Sequence, residues 1–161
     1  MASRVLVTHS AKETIERGRE IGGRLKPPVL VLLSGDLGAG KTTLTKGIAS
    51  GLGAASEEEV TSPTFTLVHK YDPGGAPRST VSRAWGIKPA LVYHVDLYRI
   101  ADPHDFDTLG LEDVFSENAV VIVEWPEKLA MRTDWPVVRI HLEHVSEDER
   151  RIAIDDPANL T

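Results

Sequence analysis

The chain has 161 residues, 24 acidic against 18 basic side chains, a net charge of −6 and no cysteine. That length suits one domain with its own core and is short for two, and the lack of cysteine excludes a disulfide framework and thiolate-bound structural zinc. The acidic balance argues against a surface that grips nucleic acid unaided, since phosphate contacts need basic side chains.

Residues 4–8 read as a short first strand, and Ser10-x-x-Glu13 is a capping-box signature for a helix running to about Leu25. Pro27-Pro28 stops that helix. Residues 29–33 are continuously apolar, the pattern of a strand covered on both faces. Between Lys41 and Leu52, the positions Leu44, Gly47, Ile48, Gly51 and Leu52 make one helical face, and Gly53 is a natural stop. Residues 64–71, rich in β-branched and aromatic types, predict a third strand. The stretch 73–89 reads as a long surface loop, and its Arg78 and Arg83 as flexible polar surface. Further strands are expected at 91–96 and 119–123, with helical patches at 103–109 and 111–115 between them. Val138, Ile140 and Leu142 alternate with polar residues in a half-exposed strand, which residues 151–154 should pair. The alternation of strands and helices predicts an α/β sandwich with a mainly parallel core and antiparallel additions at an edge. The apolar runs are strand-sized, so no membrane span is expected, and the first residues carry no apolar signal core. A soluble, cytoplasmic, single-domain protein follows over 1–161.

Gly35-Asp36-Leu37-Gly38-Ala39-Gly40-Lys41-Thr42 matches G-x-x-x-x-G-K-[ST], placed between an apolar strand and an amphipathic helix. Glycines let the backbone curl so that several N–H groups point into one concavity, at the positive end of the following helix. Lys41 then neutralises the β- and γ-phosphates and Thr42 offers its hydroxyl to Mg²⁺, and Thr43 is also expected to bind the nucleotide. The sequence lacks the N-K-x-D signature of guanine readers, so ATP and ADP are the expected nucleotides.

Hydrolysis needs more oxygen ligands for the metal and a water aligned with the γ-phosphate. Glu124 follows the 119–123 strand, where such proteins carry an acid, commonly Asp; glutamate is a departure whose longer stem should still reach the metal. Asp96 ends the 91–96 strand, and alternation puts it on the same face as His94. It either orients the water or shares the metal. Ser62-Pro63-Thr64 is either a segment that senses the γ-phosphate or a proline-containing strand entry. Trp125 opens a proline-started helical turn and reads as a core or interface residue before a base-stacking one. The six histidines lack metal-ligand spacing, with His69, His94 and His141 reading as strand side chains, and Glu57–Glu59 reads as a solvated loop.

Together these segments resemble the TsaE (YjeE-like) family of bacterial tRNA threonylcarbamoyladenosine biosynthesis. The resemblance is carried by the Gly35–Leu44 loop and helix, Ser62-Pro-Thr-Phe-Thr-Leu67, His94-Val-Asp-Leu-Tyr-Arg99, Leu109-Gly-Leu-Glu-Asp113 and Val123-Glu-Trp-Pro-Glu-Lys128. It implies a three-layer α/β/α P-loop NTPase-like sandwich with a mixed, mainly parallel sheet. It also implies ATP, Mg²⁺ and an ATPase that depends on TsaB and TsaD, meets tRNA only through them and resets their complex between turnovers. Lys41 grips the phosphates, Thr42 and Glu124 hold Mg²⁺, Asp96 supports hydrolysis, Ser62-Pro63-Thr64 becomes the switch, and Arg150 lines the nucleotide pocket. The 73–89 insert is longer than in compact members. Two alternatives remain: a small-molecule kinase, for which residues 130–132 offer a meagre lid, and a nucleotide-gated interaction module with negligible turnover. The oligomeric state is open.

Overall fold

A mixed seven-stranded sheet organises the described part of the chain, in the order β1-β7-β6-β2-β5-β4-β3. The computed structural model describes residues 2–63, 67–72, 90–102, 104–105, 109–129 and 133–161. The strands are β1 (Ala2–Thr8), β2 (Val29–Ser34), β3 (Val68–Tyr71), β4 (Leu91–Asp96), β5 (Ala119–Glu124), β6 (Val137–His144) and β7 (Arg150–Asp156). The helices fully described are α1 (Ala11–Arg24), α2 (Lys41–Gly51) and the single turn α3 (Leu111–Val114), with a 3₁₀ turn at Pro126–Lys128. The 73–89 loop, Thr64, the 130–132 segment and most of the 103–109 patch lie outside the described residues. Among the described residues, no helix is long and apolar enough to cross a membrane.

The four inner strands β6, β2, β5 and β4 run parallel, while β7 joins β6, β1 joins β7 and β3 joins β4 antiparallel. The antiparallel additions therefore sit at both edges. Strand alternation sorts the core into two layers. Val29, Val31 and Leu33 of β2, with Val120 and Ile122 of β5, pack against Ile21 of α1 and Leu44 and Ile48 of α2. Leu30, Val121 and Val123 face the other way, toward Leu97, Ile100 and the α3 residues Leu111 and Val114. Among the described residues, this second layer includes the single turn α3.

Ser10 caps α1, its hydroxyl accepting from the Glu13 N–H at 3.0 Å, while the Glu13 carboxylate accepts from the His9 N–H at 3.2 Å. The predicted third strand begins later than its composition suggests. Leu67 takes the left-handed conformation, φ 68°, so extended pairing starts at Val68. Its N–H donates to the Pro63 carbonyl and its carbonyl accepts from the Asp96 N–H at 2.9 Å, a turn that overrides β propensity.

Helices α1 and α2 approach closely because glycines face each other. A Cβ on Gly18 would lie 2.6 Å from the Leu44 carbonyl oxygen, and one on Gly47 would meet the Ile15 carbonyl. Gly47→Ala is expected to lower the unfolding free energy by about 1–3 kcal/mol in a urea titration. It should do so despite the ~1 kcal/mol that alanine gains over glycine within a helix. An unchanged or raised midpoint would show that the helices separate without cost.

Candidate functional site

The loop from β2 to α2 is shaped by three glycines in backbone conformations that side chains resist: Gly35 at φ 144°, Gly38 at 79° and Gly40 at 102°. At Gly35 space is also denied, since a Cβ would stand 2.5 Å from the Leu142 carbonyl oxygen. Gly40 is the N-cap of α2, so the unpaired amides of the first helical turn open beside Lys41, Thr42 and Thr43.

Lys41 is buried at 6% exposure, and its ammonium donates to the carbonyls of Gly35 at 2.6 Å and Asp36 at 2.9 Å. Its Nζ also lies 4.7 Å from the centre of the Trp125 ring. Burial pushes the lysine pKa below its ordinary value, and the carboxylates of Glu124, Asp96 and Asp36 offset part of that.

Register brings the acids to this loop. Glu124 shares the β5 face of Val120 and Ile122, which packs under α2; His94 and Asp96 share the corresponding β4 face with Val92. Asp96 and Glu124 are direct partners across β4 and β5, and Glu124 is the partner of Leu33 at the end of β2. One carboxylate oxygen of Glu124, Oε1, faces the Thr42 hydroxyl at 3.5 Å; the other, Oε2, is 3.1 Å from His94 Nε2. The Asp96 carboxylate accepts from the Tyr98 N–H at 2.9 Å and from the Ser62 hydroxyl at 3.4 Å. Both acids are nearly buried.

These groups enclose a cleft of about 320 Å³. Its floor is Gly38, Gly40, Lys41, Thr42 and Thr43, with Leu37 at one lip. Ser62, Asp96 and Glu124 line the cleft across from the loop, and Arg150 lines it too. Arg150 is fixed by its Nη1, which donates to the carbonyls of Ser146, Glu147 and Glu149. Gly40, Thr43 and Arg150 also border a smaller cavity of about 80 Å³ that continues to Ser10 and Thr14 of the α1 region.

Three predicted loop residues do not line the cleft. Gly35 and Asp36 act through their carbonyls on Lys41, and Ala39 is buried in the core. Pro63 is buried behind Ser62, and Thr64 lies outside the described residues. Two aromatic side chains absent from the predicted set do line it: Tyr98 and Trp125, whose rings pack at a 44° tilt with centres 4.9 Å apart. Trp125 also packs on the second core layer, as its core reading expected. Its left-handed backbone, φ 60°, directly after Glu124, turns its ring back beneath Lys41. The third missed residue is His94, whose tie to Glu124 was foreshadowed by its sharing a face with Asp96.

Magnesium at phosphoryl-transfer sites takes one or two protein oxygens and completes its shell with phosphate oxygens and water. The facing hydroxyl of Thr42 and carboxylate of Glu124 are such a pair of hard oxygen donors, so the residues present fit that ion. Among the described residues, no group of three or more His, Cys, Asp or Glu side chains is arranged to hold a metal by itself.

The sequence model of the family described as threonylcarbamoyl adenosine biosynthesis protein TsaE matches residues 8–152. A tRNA threonylcarbamoyladenosine biosynthesis protein TsaE from Treponema pallidum is 35% identical over 148 residues, covering 92% of this chain and 97% of that protein. Its namesake from Haemophilus influenzae is 41% identical over 100 residues; the match spans 62% of this chain and 53%, about half, of that relative. A crystal structure of Bacillus subtilis YdiB superimposes with a TM-score of 0.67 at 28% identity, covering 98% of this chain and 88% of that one.

Proposed function

The chain belongs to the TsaE family of tRNA threonylcarbamoyladenosine biosynthesis, and on that premise we propose that it binds and hydrolyses ATP for that pathway. The observation that carries the reading is the Thr42 hydroxyl facing the Glu124 carboxylate at 3.5 Å, beside the buried Lys41 loop. A glycine-curled loop, an inward lysine and a hydroxyl–carboxylate pair at one cleft are the parts that phosphoryl transfer requires.

In this reading Lys41 exchanges the Gly35 and Asp36 carbonyls for β- and γ-phosphate oxygens. First-turn amides of α2 donate to the phosphates, and Thr43 and Arg150 border the side from which the nucleoside extends. Thr42 and Glu124 would hold Mg²⁺, which when bound supplies charge that offsets the build-up on the transferring phosphoryl group. Asp96, held by Tyr98 and Ser62, orients the attacking water. Its contact with Ser62 links that water to the segment 62–64, which acts as the γ-phosphate switch.

The partners in this reading are TsaB and TsaD, with hydrolysis resetting their complex between turnovers in the cytoplasm. The acidic surface, net −6, supports contact with tRNA through those partners rather than by this chain alone. Phosphate release from ATP should rise sharply when TsaB and TsaD are added to the protein. No rise would remove the partner-dependent ATPase reading, and ATP consumption driven by a small metabolite would replace it with a kinase.

A further inference from the structure

His94 is fully buried at 0% exposure, yet among the described residues only one of its two ring nitrogens has a partner. Nε2 lies 3.1 Å from Glu124 Oε2, while Nδ1 has none among the described residues. A neutral imidazole carries its proton on one nitrogen and a lone pair on the other. Glu124 supplies an acceptor, so the proton belongs on Nε2 and the lone pair on Nδ1; the reverse would bury an unpaired N–H and set a lone pair against a carboxylate oxygen. The Nε2–H therefore donates to Oε2 and pins that oxygen away from the cleft. Oε1 alone is left turned to Thr42.

We propose that His94 is a positioning residue that makes Glu124 a one-oxygen ligand and thereby biases the site toward Mg²⁺ over Ca²⁺. The chemistry is geometric. Mg²⁺ demands near-octahedral single-oxygen contacts, whereas Ca²⁺ accepts more ligands and often takes both oxygens of a carboxylate. Hydrogen bonds to a ligating side chain also fix its orientation, and their loss costs metal affinity about 10- to 100-fold. The rigid placement of His94 supports the role. It lies mid-strand in β4, between His69 of β3 and Ile122 of β5, and is fully buried, so its ring has no solvent to swing into.

The inference rests on the assignment of Thr42 and Glu124 to Mg²⁺, and its test separates the two. ADP affinity is titrated by calorimetry with Mg²⁺, with Ca²⁺ and with EDTA. In His94→Leu the Mg²⁺-supported affinity should fall about 10-fold or more, with Ca²⁺-supported and metal-free binding little changed. His94→Gln, which keeps a donor at the same reach, should restore most of the Mg²⁺ preference. A purely structural role would weaken all three conditions together and leave the Mg²⁺-to-Ca²⁺ ratio unchanged, which overturns the proposal. Should His94→Leu fail to fold, ¹⁵N NMR of the unaltered protein with Mg²⁺ and ADP decides. A proton on Nε2 is expected, and an Nε2 without a proton overturns it. ADP binding by the unaltered protein that is indifferent to divalent ions would instead sink the metal assignment itself.

Discussion

Replacing Lys41 with alanine is expected to weaken ADP and ATP binding by about 2–5 kcal/mol, roughly 30-fold to a few thousand-fold. Calorimetric titration measures it. The size follows from where the ammonium stands: nearly buried, held by two loop carbonyls at 2.6 and 2.9 Å, and facing the first turn of α2. Truncating one member of a desolvated, charge-assisted contact leaves the phosphate without its nearest cation. Without nucleotide the same ammonium is held below its ordinary pKa, mainly by burial. Between that lowered value and the ordinary lysine value, the unfolded chain binds more protons than the folded one. Stability of the nucleotide-free protein therefore rises with pH across that alkaline window. Bound phosphates favour the protonated lysine, so nucleotide affinity falls with pH over the same window. Lys41→Ala should lose both dependences. An affinity unchanged by the substitution would place the phosphates elsewhere.

Much of this site is legible in the chain because its parts are local. The loop motif specifies its own backbone through Gly38 and Gly40, and the apolar strand before it and the helix after it are read from periodicity. Alternation alone puts His94 and Asp96 on one face, and the end of an apolar run puts Glu124 at the edge of the sheet. What escapes is set by partners distant in sequence. Gly47 and Gly51 are visible as part of a helical face, but not their near-contact with α1. Nothing local to β6 says that it lies beside β2, with β7 outside it, which is what brings Arg150 to the cleft. Leu67 and Trp125 defeat local reading most plainly. Both take left-handed backbone conformations that their residue types disfavour. They do so beside the two acids: the Leu67 carbonyl accepts from the Asp96 N–H, and Trp125 follows Glu124. Strain of about 1–3 kcal/mol persists where the surroundings over-determine it, and such positions gather at functional sites.

Asp96→Asn is expected to slow ATP hydrolysis about 100-fold or more while leaving nucleotide affinity close to that of the unaltered protein. The substitution keeps shape and keeps an oxygen to accept from the Tyr98 N–H, while the amide NH₂ in place of the other oxygen can donate to the Ser62 hydroxyl oxygen, so the wall of the cleft should hold. What it removes is a second acceptor oxygen and the capacity to hold or take a proton from the water. Affinity should survive because the Asp96 contacts run to Tyr98 and Ser62, whereas Glu124 faces the Thr42 hydroxyl. Glu124→Gln therefore serves as the contrast, with its loss falling chiefly on Mg²⁺-dependent binding. Single-turnover phosphate release, measured with TsaB and TsaD present, separates the two acids. An Asp96→Asn protein that loses Mg²⁺-dependent affinity in step with its rate would make Asp96 a metal ligand. One that loses neither would leave the water to be oriented by Ser62 and the segment that follows it.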